Sequence, residues 1–86
     1  MMKTVSGSTN TNGNISLALA PGTYTVWSVV RTDDNNTVCE PFQGGSNWYA
    51  RCLQANTANH AVRASTSVTL RVVYSNTKTL IDDLSS

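Results

Sequence analysis

Charge is scarce in this chain. Only 13% of its 86 residues are charged, against about a quarter in an ordinary soluble domain. The six basic and five acidic residues are scattered and leave a net charge of +1. No run of Lys or Arg occurs, so the footprint of a nucleic-acid binder is missing. No apolar run approaches the roughly 18 residues that span a bilayer, and no heptad pattern exists. Met1-Met2-Lys3 leads straight into TVSGSTNT without the apolar stretch of a secretion signal. Two cysteines and one histidine are too few for a zinc site. There is no glycine-rich phosphate cradle, and His60 stands in a loop without a nucleophile or orienting partner. These absences predict a non-enzymatic protein with no cofactor, no resident metal, no nucleic-acid partner and no membrane insertion.

Hydroxyls and amides take the place of charge. Thr, Ser and Asn make up 31 of the 86 residues. Such a surface suits a polar, uncharged ligand or contact with copies of the same chain. At this length one domain is expected, and it buries only about 60–65% of its unfolded surface, so oligomerisation helps it.

The expected fold class is all-β, a small antiparallel β-sandwich of five to seven strands. Period-two patterns and turn signals recur along the chain. Residues 6–14, SGSTNTNGN, are turn formers, and residues 1–12 read as a flexible lead-in to a domain over 13–75. Ile15, Leu17 and Leu19 alternate with small residues and predict a half-buried strand. Pro21-Gly22 fits a type II turn, here expected as a corner between two sheets. In TYTVWSVVR, Tyr24, Val26 and Val30 read as one face and Trp27 and Val29 as the other. Both faces are apolar, so Trp27 and Val29 are assigned to an oligomer interface. AVRAS at 61–65 reads as a short strand. Val68, Leu70, Val72 and Tyr74 mark a longer one facing inward. Residues 76–86 read as a tail.

Two strands flank Gly-Gly-Ser. With Gly45-Ser46 as the central turn residues, Gln43 faces Trp48, Phe42 faces Tyr49, Glu40 faces Arg51 and Cys39 faces Cys52. An aromatic pair, an ion pair and a thiol pair fall into one register, and such pairs stabilise a ladder. Pro41 then needs an edge strand. Without a secretory route, reduced and partly buried thiols are favoured for Cys39 and Cys52 over a cross-strand disulfide. Asn47, Trp48 and Tyr49 beside the turn offer amides and aromatic faces, the chemistry that holds sugar rings. The plainer alternative is that both rings pack the hairpin. Asp33, Asp34 and Asn36 in the preceding turn join them as receptor-binding candidates. Four turn residues rarely supply the six or more oxygens that calcium takes, so DDNN reads as a β-turn.

The succession NGNISLALAPGTYTVWSV, NWYARC and SVTLRVVYS resembles the C-terminal tip domains of phage tail fibres and receptor-binding proteins over about residues 12–75. The resemblance implies a homotrimeric β-sandwich of the virion, made in the host cytoplasm and acting outside the cell. It implies binding to a host-surface glycan or protein and contact with other tail-fibre proteins. The fibre shaft that precedes such tips is missing from this sequence. A decoration subunit or a fibre-assembly helper made from an internal start is the alternative. LALAPGTYTV by itself also resembles prealbumin-like or Cna-B domains of bacterial surfaces.

Overall fold

The computed structural model describes residues 1–55 and 58–76. The expected tail at 76–86 lies outside them except for Asn76. The described residues form six strands and no helix: β1 Met2–Ser8, β2 Asn14–Ser16, β3 Thr25–Arg31, β4 Thr37–Gly44, β5 Asn47–Gln54 and β6 Ser67–Ser75. The protein is all-β, with two three-stranded antiparallel sheets ordered β1-β6-β3 and β2-β5-β4.

One core joins the sheets. Val26, Val29, Val68, Leu70 and Val72 come from β3 and β6; Ile15, Leu17, Leu19, Trp48, Ala50 and the two cysteines come from the opposite sheet and its flank. The alternation of Ile15, Leu17 and Leu19 is met, with Leu17 and Leu19 continuing to pair with Trp48 through backbone bonds beyond β2. Gly22, with φ 87°, occupies the left-handed position of the Ala20–Thr23 turn. Glycine adopts that conformation without a Cβ penalty. The turn carries the chain from one sheet to the other, the expected corner.

The β4–β5 hairpin has the predicted register. Gly44 faces Asn47, Gln43 faces Trp48, Phe42 faces Tyr49, Glu40 faces Arg51 and Cys39 faces Cys52. Gly45 supplies a φ of 62° at the turn. Pro41 lies in edge strand β4, where its missing N–H removes no ladder bond.

Four expectations are corrected. Residues 1–12 are not a flexible lead-in: β1 pairs with β6 along its whole length. Its pattern is hidden because Lys3 and Gly7 share the inward face with Val5. Lys3 is half-buried and donates from Nζ to the Leu17 carbonyl at 3.2 Å, its stem lying along apolar surface. A Cβ at Gly7 would stand 3.2 Å from Ile15 Cδ1. Second, Val29 is not an interface residue, since it lies in the core. A bulge between Val26 and Ser28 inserts Trp27 as an extra residue, which puts Val26 and Val29 on the same face. Third, AVRAS contributes only an isolated bridge, Val62 to Leu53. Fourth, Cys39 and Cys52 form a disulfide rather than two thiols. Both are buried in the core.

The disulfide closes a loop of sequence separation 13. Replacing both cysteines with serine is expected to cost about 2–4 kcal/mol. Urea unfolding of the double variant checks this; an unchanged midpoint contradicts the role assigned to the bond.

Candidate ligand-binding face

The outward side of the β2-β5-β4 sheet sets polar side chains beside aromatic and aliphatic ones. The register arranges it in rows across the strands. Ser16, Tyr49 and Phe42 stand side by side, next to Asn14, Arg51 and Glu40, followed by Leu53 and Val38. Val62 bridges to Leu53 and extends the last row. Residues two apart on a strand share a face, so Tyr49, Arg51 and Leu53 of β5 alternate with the core residues Trp48, Ala50 and Cys52.

The first row is aromatic. The Phe42 and Tyr49 rings stack with centroids 5.5 Å apart and an interplanar angle of 20°. Gly44 allows this: a Cβ there would meet the Tyr49 ring at 2.9 Å. The middle row is polar and incomplete. Glu40 and Arg51 face one another, but among the described residues no ion pair joins them. The expected ion pair is therefore corrected to two opposed, uncommitted charges. Asn14 Oδ1 is buried with no hydrogen-bond partner. A hollow of about 610 Å³ lies over this row, with Asn12, Asn14 and Val62 on one side, Glu40 and Phe42 on the other, and Arg51 of the central strand between them.

The β1–β2 connection sets the asparagines in place. Asn10 Oδ1 accepts the backbone N–H of Asn12 at 2.8 Å and of Asn14 at 3.0 Å. Gly13 has a φ of 77° and lies so close to β5 that a Cβ would meet the Cys52 carbonyl oxygen at 2.9 Å. Its own carbonyl accepts from Cys52 N–H. Only glycine satisfies both the conformation and the approach.

The predicted receptor residues do not assemble into one site. Asn47 is exposed at the start of β5, and Tyr49 is half-buried on the outward face. Trp48 is 8% exposed and lies in the core. Its Nε1–H donates to the Tyr24 carbonyl at 2.8 Å, reaching across to the chain entering the other sheet. The stacking role foreseen for Trp48 is thereby corrected, because the alternation that turns Tyr49 outward turns its neighbour inward. Asp33, Asp34 and Asn36 precede the other end of β4, about 23 Å from Asn47 at the usual rise per strand residue. Asn12, Asn14, Glu40, Phe42, Arg51 and Val62 were not foreseen as site residues. For Phe42 and Glu40 the signal was present, since the hairpin register already put them beside Tyr49 and Arg51. For Asn14 and Val62 there was none, because no local pattern says which strand β2 joins.

At the far end, charge holds loops together. The Arg31 side chain is 5% exposed, with Nε 2.7 Å from Asp33 Oδ1 and Nη1 2.9 Å from Thr37 Oγ1. Arg63 Nη2 donates to Asp34 Oδ2 at 2.8 Å. Asp34 Oδ1 accepts the Asn36 N–H at 2.7 Å. The hydrogen bond from Arg31 lowers the Asp33 pKa, and the Asn36 N–H followed by Arg63 lowers that of Asp34. Both oxygens of Asp34 are thus occupied from within the fold.

No family model, no curated protein and no solved structure matches this chain. No helix among the described residues is long and apolar enough to cross a membrane.

The acid limb of stability follows from the Asp33–Asp34 network. A carboxylate whose pKa is lowered on folding contributes stability above its unfolded value, near 3.8. That contribution drains away as pH falls through the lower folded-state value. The fold is expected to weaken below about pH 4, and Asp34→Asn is expected to lose this contribution already at neutral pH. Thermal melts of both proteins between pH 2 and 7 test this; parallel pH profiles contradict it.

Proposed function

We propose that this chain is a non-enzymatic virion protein, the tip domain of a phage tail fibre, folded as a small trimeric β-sandwich. It holds a host-surface glycan on the outward face of β2-β5-β4. The observation that carries the ligand reading is the middle row of that face. Arg51 offers donors and Glu40 offers acceptors, and no ion pair joins the two among the described residues. A hydroxyl-rich molecule supplies both, and the neighbouring Phe42–Tyr49 pair gives its apolar ring face a platform. The Cys39–Cys52 disulfide suits a protein that works in an oxidising exterior.

The homotrimer rests on the opposite sheet. Met2, Val30 and Trp27 are 59%, 55% and 42% exposed on the outward side of β1-β6-β3. Trp27 Nε1 donates to Ser75 Oγ at 3.0 Å, which holds the indole against the sheet. Val30 thus takes the place assigned to Val29 in the interface. Packing around a three-fold axis covers such a face. It also repeats the glycan face three times and raises avidity by about 10²–10⁴ where receptors are dense. The competing reading, a decoration subunit or assembly helper, keeps the oligomer and lacks the ligand.

A glycan array and a bacterial cell-binding assay separate these readings. Binding is expected on both, and Arg51→Ala is expected to weaken it about tenfold or more, since a hydrogen bond to a charged group is worth about 1.5–3 kcal/mol. Asp34→Asn is expected to leave binding unchanged. A protein that binds no saccharide and no cell favours the decoration subunit. Light scattering is expected to give a trimer that Trp27→Asp dissociates, and a stable monomer overturns the oligomer.

A further inference from the structure

We propose that the receptor is gripped as an extended oligosaccharide, in a trough along β5, rather than as a single sugar. This rests on the glycan reading above and narrows it. Beside the 610 Å³ hollow lies a second of about 250 Å³, bordered by Val38, Glu40, Leu53, Gln54 and His60. Glu40 borders both, so the two hollows are neighbours along the same strands. Tyr49, Arg51 and Leu53 repeat at period two on the central strand, and Phe42, Glu40 and Val38 run opposite them on β4. Each series covers about 13 Å at the usual strand rise.

The chemistry changes along this line in a way that a chain of rings uses and a single ring does not. Stacked aromatics stand at one end. Arg51 and Glu40, which form no ion pair with one another, occupy the centre. Exposed aliphatic side chains, Val38 at 49% and Val62 at 36%, stand at the other end beside Leu53. A sugar presents apolar ring faces and hydroxyl edges, so successive rings meet the aromatic, the polar and the aliphatic surfaces in turn. Val38 and Leu53 face one another on the outward side of the sheet, where the core does not need them.

The test uses the whole chain and two ladders of defined saccharides, malto-oligosaccharides and chito-oligosaccharides, each from monosaccharide to hexasaccharide. Calorimetry measures affinity, and NMR follows the backbone amides of Arg51, Leu53 and Val38. Affinity in the ladder that binds is expected to rise at least tenfold over the first few units and then level. Amide shifts at Leu53 and Val38 are expected only with the longer members. Val38→Glu, on an exposed position, is expected to reduce the affinity of the hexasaccharide towards that of the short members and to leave those unchanged. Equal affinity for monosaccharide and hexasaccharide overturns the trough and leaves the glycan reading standing. Ladders of which no member binds overturn the trough as well. A glycan array on which no saccharide binds removes the glycan reading itself.

Discussion

The pairing of β4 with β5 through the two-residue turn at Gly45-Ser46 governs the rest of the molecule. Side chains alternate across a strand, so a slip of one residue moves each of them to the other face. In the observed register Trp48, Ala50 and Cys52 enter the core while Tyr49, Arg51 and Leu53 face outward. A slipped β5 puts a guanidinium among Val, Leu and Ile side chains and exposes a Trp. Burying that charge unpaired costs several kcal/mol, which strongly selects one register. The Cys39–Cys52 bond fixes the same alignment covalently. It does so on edge strand β4, whose Pro41 offers no ladder donor.

How much of this was legible depended on whether a segment's pattern was carried by apolar side chains. The hairpin was readable residue by residue because aromatic, charged and sulfur-bearing pairs all marked one alignment. β6 was readable from Val68, Leu70 and Val72. β1 was not, since Lys3 and Gly7 take inward positions where apolar residues are expected, and only contact with Ile15 and Leu17 reveals why. The bulge at Trp27 was hidden for a different reason. In VWSVV a strict period of two and a period broken by one residue both place valines in plausible positions, and only pairing with β6 decides between them. The oxidation state of the cysteines was not legible from composition and motifs, whereas burial opposite one another at a close-paired position favours the bond.

Trp48 and Trp27 show how one residue type serves two ends in a small two-sheet fold. Trp48 sends its indole N–H to the Tyr24 carbonyl and links the sheets across the core. Tyr24 in turn packs edge-on against Tyr74 of β6, with centroids 5.2 Å apart. Trp27 lies outward, and its N–H is satisfied by Ser75. Both indoles therefore have partners, as a bulky ring with a single donor requires when it is wholly or partly covered. The bulge separates the two roles, because it releases Trp27 from the inward series that Val26 and Val29 complete.

In a chain with so few charges, the places where they stand are informative. Arg31, Arg63, Asp33 and Asp34 are joined at one end of the molecule, where they tie the 32–36 turn to Thr37 and to the 61–66 segment. The same segment is fastened to the end of β1 by Thr9, which accepts from Thr66 N–H and donates to the Arg63 carbonyl. This cluster is consumed by structure. Arg51 and Glu40 face each other across the β4–β5 ladder, and among the described residues no ion pair joins them. Beside them Asn14 Oδ1 is shielded from water without a partner, a condition that costs about 1–3 kcal/mol. The turn that creates this condition is itself tightly specified, through the Asn10 bonds and the close approach of Gly13 to Cys52. The turn thus fixes where β2 joins β5, and with it the row of Asn14, Arg51 and Glu40 on the outward face.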